Sequence, residues 1–94
     1  MGSVKQIEVI LRIENSLGIH ARPASLIVQL ASQFSSEIAI EKDGEEVNGK
    51  SLMGVLMLSA GKGTELKVLF DGHDAEEARD AFVDLVVNRK FDED

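Results

Sequence analysis

The chain has 94 residues, a formal net charge of −7 and no cysteine, tryptophan or tyrosine. Excess negative charge disfavours partners recognised through a phosphate backbone, and the four phenylalanines offer few rings for stacking on bases, so we expect no nucleic-acid binding. The length allows one domain, predicted over residues 1–94 with its core at about 4–89 and a frayed acidic segment at 90–94.

No apolar stretch is long enough to span a membrane, and the start Met1–Val4 is not followed by the apolar block of a secretory signal. The absence of cysteine suits a reducing compartment. We therefore expect a cytoplasmic monomer with no membrane insertion.

The first two predicted elements are a strand and a helix. Apolar and polar residues alternate over 5–13, which is the period of a half-buried strand. Turn residues end this alternation, and between Ala21 and Phe34 the apolar residues recur at helical spacing. Pro23 falls in the first turn of this helix, where its missing N–H costs nothing.

A hairpin and a short helix are predicted next. Residues 37–41 alternate as a second strand, and the turn Asp43-Gly44 leads into a third strand near Glu46 and Val47. Ser51 is predicted to be the N-cap of a second helix over 52–58, which Gly61 and Gly63 would terminate.

The last predicted elements are a fourth strand at 64–71 and a third helix. Asp74 and Glu77 form a capping-box pattern before an apolar stripe that continues to Val86. The element order predicts one α+β domain in which helices cover one face of a sheet, with a ferredoxin-like arrangement and other open-faced sandwiches as alternatives.

One motif favours a different class of protein. Residues 44–51 fit the pattern G-x-x-x-x-G-K-[ST] of a nucleotide-binding loop. However, Glu45 and Glu46 would put negative charge into the phosphate cradle, and the Asp-Gly turn indicates a hairpin instead. A P-loop-like nucleotide-binding protein is therefore a remote alternative. No histidine has a cysteine or helical histidine partner, so we expect no metal site and no cofactor.

The strongest candidate site is His20 at the start of the first helix, with Arg22 two residues later. A helix N-terminus offers unpaired N–H groups and the positive end of the helix dipole, and a guanidinium matches phosphate oxygens. The same dipole favours the neutral, nucleophilic imidazole. These features could hold a phosphoryl group on His20; the alternative is an exposed histidine near a helix cap, with Arg22 as an ordinary surface base.

The charge distribution is compatible with that site. The segments 15–36 and 47–64 contain no acidic residue, although the rest of the chain is acidic. Such segments could accept an anion or an acidic partner, or they could simply pack in the core without charge.

Residues 15–24, Asn-Ser-Leu-Gly-Ile-His-Ala-Arg-Pro-Ala, closely resemble the active-site signature of the HPr family, the histidine phosphocarriers of the bacterial sugar phosphotransferase system. Residues 48–55 are similar to the regulatory-serine segment of that family. The resemblance implies an open-faced β-sandwich of the order βαββαβα, with three helices on one face of a four-stranded antiparallel sheet.

The resemblance also implies a function. His20 would accept a phosphoryl group on Nδ1 from phosphorylated enzyme I, which obtains it from phosphoenolpyruvate, and would pass it to enzyme IIA domains in sugar uptake. Arg22 would stabilise the phosphoryl group. The protein would then be a phosphoryl carrier and not a turnover enzyme. A phosphocarrier of a nitrogen-related regulatory branch is the nearer alternative.

Two further assignments follow from the same resemblance. Ser51 resembles the serine phosphorylated by HPr kinase/phosphorylase, and a phosphate there would suit the helix N-terminus while opposing docking beside His20. Leu52, Met53 and Leu56 would belong to the docking face for partner proteins, although an apolar helical stripe is more often part of a core.

Overall fold

The computed structural model describes residues 5–94, and Val4, predicted as the first core residue, lies outside them. Within these residues the elements occur in the predicted order. The strands are β1 (Lys5–Arg12), β2 (Glu37–Lys42), β3 (Glu45–Asn48) and β4 (Glu65–Gly72). The helices are α1 (Ala21–Ala31), α2 (Leu52–Met57) and α3 (Ala75–Val83). Helix α3 continues through a π-helical turn at Asp84–Asn88, and a final turn follows at Lys90–Asp92.

The strands form one antiparallel sheet in the order β1-β4-β2-β3. The alternation of each strand puts its apolar residues on one face, and the register aligns them across strands, as in the pairs Ile7 with Phe70 and Ile40 with Val68. This confirms the α+β open-faced sandwich, with three helices covering one face of the four-stranded sheet.

The core lies between that sheet face and the helices. Phe70 of β4 and Phe82 of α3 meet edge to face, with ring centroids 5.2 Å apart. Helix α1 contributes Ala24, Ile27 and Ala31, all of which are buried. No helix within the described part of the chain has the length and apolar character needed to cross a membrane.

The hairpin is confirmed, and it excludes the nucleotide-binding loop. Lys42 pairs with Glu45, so Asp43 and Gly44 alone form the turn, and both have positive φ (52° and 84°) as a type I′ turn requires. Residues 45–48 of the G-x-x-x-x-G-K-[ST] pattern therefore lie in an antiparallel strand, and Gly44 lies in the hairpin turn. The Lys50 Nζ donates to the Phe34 carbonyl at 2.7 Å, which ties this side chain to the end of α1.

Both of the first two helices end earlier than predicted. Helix α1 ends at Ala31, before Phe34, which packs half-buried against the core from the following turn. Helix α2 ends at Met57, because Ser59 already adopts a left-handed backbone with φ of 52°. The predicted terminator Gly63, with φ of 88°, instead forms the turn before β4.

Asp74 is the N-cap of α3 by position, but the predicted capping box is wrong. Its side chain makes no cap hydrogen bond. It accepts instead from the Ser35 N–H at 2.8 Å, the Ser36 N–H at 2.9 Å and the Ser36 hydroxyl at 2.5 Å. The carboxylate thus joins the start of β2 to the start of α3.

The prediction that residues 90–94 are frayed is also wrong. Phe91 has 0% exposed surface and belongs to the core. Lys90, Phe91 and Asp92 all adopt positive φ, so the chain turns sharply and folds back. Burial of the phenyl ring holds the turn, because the ring would otherwise remain in water. The Asp92 carboxylate pairs with Arg89 at 2.6 Å.

The contacts of Asp74 lead to a prediction about how the stability of the fold depends on acidic pH. Its hydrogen bonds, chiefly that from the Ser36 hydroxyl, lower the pKa from 3.8 to about 2. A lowered folded-state pKa stabilises the fold above the unfolded value and loses that contribution as the pH falls from about 4 to about 2. We expect Asp74→Asn to lower the melting temperature at neutral pH and to flatten its fall across this window.

Calorimetric melts at closely spaced pH values measure this. The matched control is Asp43→Asn, because the Asp43 carboxylate accepts no hydrogen bond from residues 5–94 and Asn suits its positive φ. An Asp74→Asn profile parallel to that of the wild type between pH 4 and pH 2 would contradict the assignment.

Candidate functional site

The loop between β1 and α1 is a tight turn that delivers His20 to the start of α1. The Gly18 N–H donates to the Asn15 carbonyl at 3.1 Å, and the Asn15 amide donates back to the Gly18 carbonyl at 2.8 Å. The Ile19 N–H donates to the Ala60 carbonyl at 2.8 Å, which fastens the loop to the segment after α2.

Gly18 is required in this turn for two reasons. Its φ of +67° lies in the left-handed region, which side-chain-bearing residues rarely adopt. A Cβ at this position would also stand 2.5 Å from the Ala60 carbonyl oxygen and 2.7 Å from the Gly61 Cα. The backbone therefore approaches the neighbouring loop too closely for any other residue.

His20 is the N-cap residue of α1, as the sequence predicts. Its carbonyl accepts the Ala24 N–H at 3.0 Å, and its side chain makes no cap hydrogen bond. The Ala21 and Arg22 N–H groups have no intrahelical acceptor, and the first turn holds no acidic residue. The His20 side chain is 37% exposed, so a partner can reach a ring that sits at the positive end of a helix.

A carboxylate from the far end of the chain binds this ring. Both Glu93 side-chain oxygens lie 3.0 Å from the His20 Nε2. The same carboxylate accepts from the Asn15 amide at 3.0 Å and from Arg22 NH1 at 3.0 Å. These donors, first of all His20, lower the pKa of Glu93, whose side chain is only 17% exposed.

Arg22 joins the same cluster. Its NH1 donates to the Phe91 carbonyl at 2.6 Å as well as to Glu93, and half of the side chain is exposed. Its Nε and NH2 groups make no hydrogen bond with any residue in the range 5–94. Arg22 is therefore tied to residues 91–93 by one nitrogen and presents others to an incoming anion.

The structure joins His20 and Arg22 through Glu93, and Ser51 makes no hydrogen bond to this cluster. Ser51 is the N-cap of α2, as predicted, and its hydroxyl accepts the Gly54 N–H at 3.1 Å. Ser51 and His20 share no hydrogen bond, and the histidine loop is hydrogen-bonded at Ala60 to the segment after α2.

The predicted docking residues are exposed apolar side chains. The exposed fractions are 44% for Leu52, 69% for Met53 and 37% for Leu56. Two further exposed residues extend this set, Met57 in α2 and Leu17 in the histidine loop. We call these five side chains the apolar patch. Exposed apolar side chains that lie together are a common feature of association surfaces.

The sequence prediction assigned no role in the site to two residues, Asn15 and Glu93. Asn15 stands there only as the first residue of the signature 15–24, with no role of its own, yet it is fully buried and links the turn to Glu93. Its Oδ1 is buried without a hydrogen-bond partner among the described residues. Glu93 was placed in a frayed segment. The sequence does contain one sign that this segment is ordered. Phe91 is a large apolar residue within a charged stretch, which indicates that the segment is anchored to a core.

The fold and the site together define a small phosphocarrier-type domain, with a reachable imidazole beside a guanidinium at a helix N-terminus. A family profile described as "PTS HPr component phosphorylation site" matches residues 7–88. The chain belongs to the HPr family, the phosphocarrier proteins of the phosphotransferase system.

Individual relatives agree with this. The HPr-like protein Crh of Halalkalibacterium halodurans is 45% identical over 82 residues, covering 87% of this chain and 93% of that protein. The phosphocarrier protein HPr of Neisseria meningitidis is 47% identical over 76 residues, covering 81% and 85%. A crystal structure of HPr-C-His from Thermoanaerobacter tengcongensis superposes with a TM-score of 0.89 at 49% identity, covering 94% of this chain and 98% of that one.

Gly18 gives a test of the loop that carries His20. We expect Gly18→Ala to destabilise the fold by about 2 kcal/mol or more, because it combines a strained backbone with a forced displacement of the Ala60 segment. Gly61→Ala is the matched control, since a Cβ there meets nothing within 4 Å, and its effect should stay within about 0.5 kcal/mol. Urea unfolding of both variants measures the difference; equal stabilities would contradict the close approach.

Proposed function

We propose that His20 accepts a phosphoryl group from phosphorylated enzyme I, originating from phosphoenolpyruvate, and passes it to an enzyme IIA domain in sugar uptake in the cytoplasm. The observation that carries this proposal is the half-exposed imidazole at the N-terminus of α1, with Arg22 beside it. In this role the protein acts as a monomeric carrier and performs no turnover of its own.

The proposed transfer needs a nucleophilic nitrogen and support for the phosphoryl charge. His20 Nδ1 makes no hydrogen bond with residues 5–94, so its lone pair is available. The open Ala21 and Arg22 N–H groups and the unused Arg22 donors are suited to phosphoryl oxygens. Each partner protein would supply the remaining groups, because phosphoryl transfer depends mainly on positioning and electrostatics.

The apolar patch is the proposed docking surface for enzyme I and enzyme IIA. Leu17 lies in the histidine loop, three residues before His20, and the other members lie in α2, so we propose that a partner docks across both segments. Ser51 immediately precedes the patch, and we propose that HPr kinase/phosphorylase phosphorylates it to weaken docking. This serine segment favours the sugar branch over the nitrogen-related branch.

The carrier role predicts one acid-labile, base-stable phosphate per chain after incubation with phosphoenolpyruvate and enzyme I. Intact-mass measurement should show it in the wild type and not in His20→Ala. Arg22→Ala should retain the fold but transfer about ten- to a hundredfold more slowly, because it removes a donor to the phosphoryl oxygens. His73→Ala is the matched control, since His73 is an exposed histidine outside the site. A label that survives His20→Ala would refute the proposal.

The regulatory role predicts weaker docking when charge is added at the N-cap of α2. Ser51→Asp keeps a capping side chain, so the fold should persist. We expect about five- to tenfold weaker association with enzyme I at low salt, and a smaller difference when salt screens the charge.

Titration calorimetry of wild-type and Ser51→Asp protein with enzyme I measures the difference in affinity. The matched control is Gln33→Glu, which adds the same charge at an exposed position after α1. Equal affinity of Ser51→Asp and the wild type would remove the regulatory proposal.

A further inference from the structure

The ion-pair cluster around Glu93 has a consequence for the proposed reaction, on which this inference rests. We propose that Glu93 is a positioning residue that holds His20 in its Nε2–H tautomer, so that the Nδ1 lone pair is the nucleophile. The Glu93 side chain is then part of the carrier site, through its contacts with His20, Asn15 and Arg22.

The tautomer follows from the donors and acceptors at the ring. An ionised carboxylate can only accept hydrogen bonds, and both Glu93 oxygens lie 3.0 Å from Nε2, so Nε2 must carry the proton. In a neutral imidazole one nitrogen is protonated and the other is not. The unprotonated nitrogen is therefore Nδ1, which no side chain or backbone group of residues 5–94 contacts by a hydrogen bond.

Glu93 is held firmly enough to exert this control. Phe91, two residues earlier, is fully buried, and the Glu93 N–H donates to the Lys90 carbonyl at 3.0 Å. On the other side, the Ser16 N–H donates to the Asp94 carbonyl. The carboxylate also takes hydrogen bonds from Asn15 and Arg22, so its position is set by anchors on both sides and by three side chains.

The contacts of Glu93 leave the proposed reaction path open. The carboxylate faces Nε2 and not Nδ1, and it uses only NH1 of Arg22. A phosphoryl group on Nδ1 could therefore bind the remaining Arg22 donors while residues 91–93 stay in place. In this arrangement Glu93 and the phosphoryl group occupy opposite nitrogens of one ring.

The carboxylate would assist both steps of the transfer. In the first step the Nδ1 lone pair forms the bond to phosphorus, while the bond from phosphorus to the donor's leaving atom breaks and its electron pair stays with the donor. The ring then carries a positive charge that the Glu93 carboxylate balances. In the second step a nucleophile of enzyme IIA forms the bond to phosphorus, while the Nδ1–P bond breaks and its electron pair returns to Nδ1. The proton kept on Nε2 makes the leaving group a neutral imidazole.

The first experiment needs no variant. The sequence has two histidines, His20 and His73, so nitrogen-15 labelling of histidine gives two imidazole rings. His73 is exposed, and its ring makes no hydrogen bond with residues 5–94, so it is an internal reference for an unconstrained ring. In mildly alkaline solution we expect nitrogen shifts of a single Nε2–H tautomer for His20 and of a tautomer mixture for His73. A mixture or an Nδ1–H ring at His20 would overturn the inference.

The second experiment changes the carboxylate to an amide of the same shape. Gln can accept from Nε2–H or donate to an unprotonated Nε2, so Glu93→Gln should shift His20 towards a mixture. Onward transfer from the phosphorylated variant to enzyme IIA should fall by about tenfold, as for other partners that orient a histidine. The fall should be in kcat and not in KM, because docking through the apolar patch is unchanged.

Asp92→Asn is the matched control, since it removes a carboxylate of the same segment that pairs with Arg89 and not with the ring. It should leave the His20 tautomer unchanged, because the Asp92 carboxylate binds Arg89 and makes no hydrogen bond to the ring. Glu93→Gln with wild-type tautomer and rate would overturn the inference, and so would a faster variant, which would mean that the segment covers the site. Both results assume that the wild type is phosphorylated on His20; if it is not, the proposed function itself fails.

Discussion

The contact between the histidine loop and the segment after α2 is the constraint on which the site depends. Gly18 lies so close to the Ala60 carbonyl and Gly61 that no side chain fits between them. The Ile13 backbone pairs with Thr64 and Gly63 at one end of the loop, and Ile19 pairs with Ala60 at the other. The backbone before His20 is therefore fixed, although the ring itself reaches solvent.

A fixed backbone and an exposed ring suit a group that must meet different proteins in turn. In the proposed function the ring needs access for each partner, while its reacting nitrogen must not reorient between encounters. The turn, the helix start and the Glu93 carboxylate act on different atoms of the same residue. The backbone is held by the loop, and the ring is held through Nε2, so Nδ1 is the ring nitrogen without a hydrogen bond to residues 5–94.

The charge pattern of the sequence becomes clear only in three dimensions. Segment 15–36 is free of acidic residues, which favours anion binding. In the folded chain Glu93, 73 residues away from His20, brings a carboxylate into that segment. The helix N-terminus and Arg22 form a positively polarised surface that favours an anion. The Glu93 carboxylate neutralises part of this positive charge through its contacts with His20 Nε2 and Arg22 NH1.

Much of the fold could be predicted from local sequence. Alternation defined the strands, the Asp43-Gly44 turn defined the hairpin, and Ser51 marked the start of α2, because each signal acts between residues close in the chain. The place of His20 and Arg22 at the start of α1 was predictable for the same reason, since a helix start and its first turn are consecutive residues. The Asp74 cap was wrong because its carboxylate found the Ser35 and Ser36 donors of another element.

The sequence by itself determined which segments become strands and helices, which faces are apolar and where an anion could bind. Only the tertiary structure decided the strand order β1-β4-β2-β3, the burial of Phe91 and the pairing of Glu93 with His20. The physical reason is distance along the chain: periodicity and capping depend on neighbours within a few residues, whereas these contacts form between residues that meet only when the core closes.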